Sequence, residues 1–99
     1  MAMSHQQIVA EFNKAAKRKE ELEARINKCQ GAVAVLKHDV NSLMSCQYLS
    51  NSERIRISNT MLAIVDENVK KGNEALAEYR MVNARYQQLY ECVWGPPIM

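Results

Sequence analysis

Between Ile8 and Leu43 the chain places a seam residue alternately every four and three positions: Ile8, Phe12, Ala15, Lys19, Leu22, Ile26, Cys29, Val33, Leu36, Val40 and Leu43. Ten of these eleven are apolar or thiol, and only Lys19 breaks the series. A 3.5-residue period sustained over five heptads specifies a helix with a single coiled-coil-like seam. A second series runs through Ile55, Ser58, Leu62, Val65, Val69, Gly72, Leu76, Tyr79, Asn83, Tyr86, Tyr90 and Val93. Little opposes helix formation in either stretch. The chain has three glycines and two prolines among 99 residues, and both prolines stand at positions 96 and 97. Helix formers such as Ala, Glu, Lys, Gln, Leu and Met supply much of the remainder.

Local signals mark where the helices begin and end. Ser4 and Gln7 have the spacing of a capping box, so the first helix is expected to start at about His5. The period falters over Gln47–Glu53, where Ser and Asn favour a turn, and Ser50 with Glu53 forms a second capping box. Gly95-Pro96-Pro97 stops the second helix. The expected fold is all-α, a single domain over 1–99. It is an antiparallel hairpin of helices at about 5–46 and 52–93, with a turn at about 47–52 and a short non-helical tail at 95–99. Each helix of about 40 residues would be roughly 60 Å long. Folding back pairs Phe12 with Tyr86, Lys19 with Tyr79, Leu22 with Leu76, Ile26 with Gly72, Cys29 with Val69 and Leu43 with Ile55.

A lone hairpin leaves apolar surface over. Gly31–Leu36 is apolar on every face, as is most of Met61–Val65, and a helix apolar all round is covered on more than one side. Val35, Met44, Ile57, Met61 and Ile64 fall outside the expected seam and form the candidate oligomer interface. Two hairpins joined through their turn-proximal halves into a four-helix bundle are the expected assembly, and a different protein partner is the other occupant such a surface admits.

The search for chemistry comes back nearly empty. His5 and His38 lack a metal-ligand partner at helical spacing, and no phosphate loop, nucleophile elbow or carboxylate pair occurs, so neither enzyme activity, cofactor nor small-molecule substrate is expected. Three cysteines without framework spacing suit a reducing compartment. No apolar run reaches the roughly 18 residues of a membrane span, and the opening MAMSHQQ lacks a signal-like core. An intracellular location, cytoplasmic or nuclear, is expected.

One stretch, NKAAKRKEELEAR from Asn13 to Arg25, carries a functional signal. On a helical wheel Lys14, Lys17, Arg18, Arg25 and Lys28 share an arc of about 100° beside the seam. Such a stripe, presented twice by a dimer, can track the phosphates of duplex RNA or DNA. The architecture is similar to that of the nodavirus B2 silencing suppressors, dimers of helical hairpins that bind double-stranded RNA; the similarity is one of architecture alone, without a shared residue motif. The net charge of +2 is small, and Lys17 with Glu21 and Glu21 with Arg25 stand at the i, i+4 spacing of a helix that satisfies its own surface. A self-associating interaction module is therefore the leading expectation, and a nucleic-acid binder the alternative.

Overall fold

Ser4 opens the first helix as its spacing predicts. Its hydroxyl accepts from the Gln7 N–H at 3.2 Å, while the Gln7 side chain accepts from the Ser4 N–H at 2.9 Å. From there α1 runs over His5–Met44. Its last turn tightens, with the Ser45 and Cys46 N–H groups donating to the Ser42 and Leu43 carbonyls, so α1 stops about two residues short of the expected end. Ser50 then caps α2, Asn51–Trp94. The Ser50 hydroxyl accepts from the Glu53 N–H at 3.2 Å and donates to the Glu53 carboxylate at 2.9 Å. The computed structural model describes residues 3–94, and the expected tail at 95–99 lies outside them. The two helices pack against each other as a hairpin, with no strand among the described residues, in a body 68 × 26 × 16 Å.

The seam of α1 is the expected one throughout: all eleven positions from Ile8 to Leu43 are buried or half-buried. On α2 one column of the expected seam survives, Ser58, Val65, Gly72, Tyr79, Tyr86 and Val93. The other column survives only in part, at Leu76 and Asn83, which are half-buried. Ile55, Leu62, Val69 and Tyr90 are exposed, and Met61, Ala75, Val82 and Leu89, each one residue earlier in its heptad, are buried or half-buried. With one column moved by a residue, about 100° on the wheel, and the other kept, the centre of the α2 seam turns by about 50°.

The pairing shifts with it. A Cβ built on Gly72 would lie 3.4 Å from the Cβ of Cys29, so Gly72 faces Cys29 and not Ile26, three residues from the expected register. Phe12 and Tyr86 still meet as expected, while two long side chains reach beyond their expected partners. Lys19 holds its ammonium 4.4 Å from the centroid of Tyr86, and Tyr79 donates its hydroxyl to Glu23 at 3.1 Å. Helical side chains lean toward their own N-terminus. In an antiparallel pair that lean carries Lys19 past Tyr79 to Tyr86, and carries Tyr79 past Lys19 to Glu23.

At the open end Phe12, Ala15 and Leu89 form the best-covered cluster, with Ile8, Val82, Tyr86 and Val93 packed against it. Phe12 stacks on Tyr86 with centroids 4.9 Å apart and meets Trp94 edge-on at 4.8 Å. The tyrosines at this end therefore serve packing. Midway along, Leu22 is sealed completely.

Removing that side chain by Leu22→Ala should lower stability by about 2–4 kcal/mol, the usual cost of an aliphatic deletion in a packed site. Gly31 has open space where a Cβ would go, so Gly31→Ala should raise stability by about 0.5–1 kcal/mol through helix propensity alone. Urea unfolding followed by circular dichroism measures both.

Candidate interaction faces

The hairpin has two broad faces, and their chemistry differs. One carries the cationic stripe. Its member nearest the seam, Arg18, is already engaged. Its Nε and Nη2 donate to the two carboxylate oxygens of Glu78 at 2.6 and 3.0 Å, and its Nη1 donates to Glu21 at 3.2 Å. This bidentate tie crosses from α1 to α2 and raises the Arg18 pKa further, chiefly through the Glu78 hydrogen bond. The same bond holds the Glu78 carboxyl below the usual glutamate range. Lys14, Lys17, Arg25 and Lys28 are exposed and carry no ion pair among the described residues.

The α2 residues on this face were not foreseen from the stripe. A groove of about 590 Å³ brings Lys71, Glu74 and Glu78 beside Arg25 and Lys28. A second, of about 300 Å³, sets Met81 and Arg85 beside Lys14 and Arg18. The stripe thus gains Arg85 and Lys71, the latter paired with Glu67 at 3.1 Å, together with two carboxylates between them. Neither cation was legible from α1, because each reaches the face from the other helix.

The opposite face is apolar. Ile26, Val33 and Ala34 of α1 and Val69, Gly72 and Leu76 of α2 line a groove of about 370 Å³. From Val69 in its α2 wall the column continues toward the turn through Leu62 and Ile55, the three exposed by 43, 43 and 56 %. This is the column that the rotation of α2 removes from the seam. The five candidate interface residues divide accordingly. Met44 is exposed by 52 % one heptad beyond Lys37 on this side, whereas Val35 and Ile64, exposed by 60 and 44 %, stand one heptad from Lys28 and Lys71 on the cationic side. Ile57 and Met61 are half-buried: the turn of about 50° brings their side of α2 toward α1 and takes Ile55 and Leu62 outward.

Among the described residues no group of three or more His, Cys, Asp or Glu side chains is placed to hold a metal ion. Among the same residues no helix is long and apolar enough to cross a membrane. Cys29 is buried, Cys46 half-buried and Cys92 exposed, all as free thiols.

Two carboxyls lie below their ordinary range: Glu78, held by Arg18, and Glu53, held by the Ser50 hydroxyl and N–H. A carboxyl depressed in the folded state stabilises the fold above its unfolded pKa and loses that contribution as pH falls through the folded value. Thermal stability should therefore decline as pH falls through and below the ordinary glutamate range. The decline should be shallower in Glu53→Gln/Glu78→Gln, as followed by circular dichroism melts across that window. Comparison with protein families, with characterised proteins and with solved structures finds no match to this chain.

Proposed function

We propose that this chain works inside the cell as a non-enzymatic helical module that self-associates and whose function is assembly. The observation that carries the reading is the exposed apolar column Ile55, Leu62 and Val69, lying beside a groove lined by Ile26, Val33 and Leu76. The surface total supports it. The chain exposes 7715 Å² at 11.3 kDa, about 2,000 Å² more than a compact monomer of that mass. A standard stable interface takes about 800 Å² from each partner, so this excess suffices for one. Sedimentation velocity at micromolar concentration should show a dimer or a larger closed assembly. A folded monomer under those conditions overturns the reading.

A second reading is duplex RNA or DNA binding, favoured by one arrangement: Lys71 and Arg85 extend the face that already presents Lys14, Lys17, Arg25 and Lys28. Phosphate contacts of this kind give sequence-independent affinity that falls steeply with salt. Fluorescence polarisation with duplex RNA and duplex DNA at low and physiological salt tests it. Binding that weakens with salt and is lost in Arg25→Glu/Lys28→Glu supports this reading; absence of binding at low salt removes it. Arg18 is the wrong residue to change, because losing its tie to Glu78 disturbs the hairpin itself.

A further inference from the structure

The apolar face has a charge pattern along its edges. On α1, Glu23, Gln30 and Lys37 recur every seven residues, and so share one edge of the face. On α2, Asp66, Asn73 and Arg80 do the same on the other edge. Gln30 and Lys37 line the central groove from one side and Asn73 from the other, and Glu23 and Gln30 lie together on the next groove along with Tyr79. All six residues are exposed. None of the four charges has an ion-pair partner among the described residues, though Glu23 accepts the Tyr79 hydroxyl.

The register fixes their levels. With Cys29 facing Gly72, Glu23 stands near the level of Arg80, Gln30 near Asn73, and Lys37 near Asp66. Each level pairs an acid with a base, or an amide with an amide, across the width of the face. The apolar residues between follow the same order, with Ile26 level with Leu76, Val33 with Val69 and Val40 with Leu62.

We infer that the occupant of this face is a second copy of the chain. The two hairpins lie side by side with their turns at the same end, about a two-fold axis parallel to the helices. That operation lays α1 of each copy on α2 of the other. Glu23 then meets the partner's Arg80, Gln30 the partner's Asn73, and Lys37 the partner's Asp66, each twice by symmetry. Apolar levels fall on apolar levels, and Ile55, Leu62 and Val69 are covered. Every helix has antiparallel neighbours, as in four-helix bundles. An unrelated partner would need its own complement to these levels, whereas the chain already supplies one. A two-fold axis across the helices also brings opposite charges together, pairing Lys37 with the partner's Glu23 and Asp66 with the partner's Arg80. It sets Leu62 against the partner's Asn83, which the parallel axis avoids.

This inference rests on the self-association proposed above, and the experiment separates the two. Dimer dissociation constants are measured by sedimentation for the wild-type chain, Lys37→Asp, Asp66→Lys, and an equimolar mixture of the two variants, with circular dichroism confirming that helicity is retained. Each single variant should dissociate about tenfold more readily, since the changed pair occurs twice and a surface pair is modest on its own. The mixture should recover wild-type affinity as a heterodimer, in which every 37–66 contact is again opposite in charge. Single variants that dimerise as tightly as wild type place the interface elsewhere, and overturn this inference while leaving self-association standing. Weakened single variants that the mixture fails to rescue exclude the parallel axis and overturn it likewise. A wild-type chain that is monomeric removes both.

Discussion

Two long helices side by side can cover only one stripe on each, so the organisation of this molecule follows from which stripe α2 turns toward α1. The close approach of Gly72 to the Cys29 Cβ is where that choice is visible. With no side chain of its own at that level, α2 can lie against a thiol-bearing position of α1 at ordinary van der Waals distance. The rotation that brings Gly72 there also brings Val82 and Leu89 to Phe12 and Ala15 at the open end. It has a consequence on the other side. The aliphatic column Ile55, Leu62 and Val69 is left facing water, and the hairpin ends with a dry seam and a second, uncovered apolar face. Exposed apolar surface arranged as a continuous column differs from scattered exposed leucines, which any protein surface carries.

The parts of this structure that were legible in the sequence are the parts governed by one helix at a time. Helix number, the two capping boxes and every seam position of α1 follow from period and local hydrogen bonding. The rotation of α2 does not, for a definite reason. Its column at Ser58, Val65, Gly72 and Tyr79 has an apolar-rich neighbour on each side, Ile55–Leu62–Val69–Leu76 on one and Met61–Ala75–Val82–Leu89 on the other. Counting periods along α2 favours the larger and more continuous of the two. What decides between them is fit across the pair, involving residues such as Cys29 and Gly72 that lie far apart in the chain. The same limit applies to the candidate faces. Val35, Met44 and Ile64 are as exposed as their positions imply, but Ile57 and Met61 depend on the rotation and turn inward with it.

The cationic run from Lys14 to Lys28 illustrates how a charge pattern changes meaning once the second helix is in place. Viewed along α1 alone, Arg18 is one of five cations on an exposed edge. In the hairpin it is the donor of a bidentate bond to Glu78, sixty positions away, while Glu74 and Glu78 stand among the remaining cations. Phosphate recognition depends on a potential that adds up along a surface, and interleaved carboxylates reduce it. The stripe therefore has two roles to divide between its members. Arg18 holds the helices to each other and Lys71 is tied to Glu67 at 3.1 Å, so the outer lysines of α1 with Arg25 and Arg85 remain for whatever the face meets.

The two ends of the rod are held by different means, and this bears on how the molecule would associate. At the open end, where α1 begins and α2 finishes, Phe12 gathers Tyr86, Tyr90 and Trp94 into one aromatic group. Rings of this size cover a seam broadly, although Tyr90 and Trp94 keep 44 and 56 % of their own surface exposed. Toward the turn the side chains are aliphatic and smaller, with Val33, Ala34, Val40, Leu62 and Val69 in place of rings, and Val35, Met44, Ile55, Leu62, Ile64 and Val69 are all exposed. Covering surface of that kind stabilises roughly in proportion to its area, and the uncovered area is concentrated here. Association should therefore strengthen the turn-proximal half most, where Lys37 and Asp66, without an ion-pair partner among the described residues, flank the apolar column.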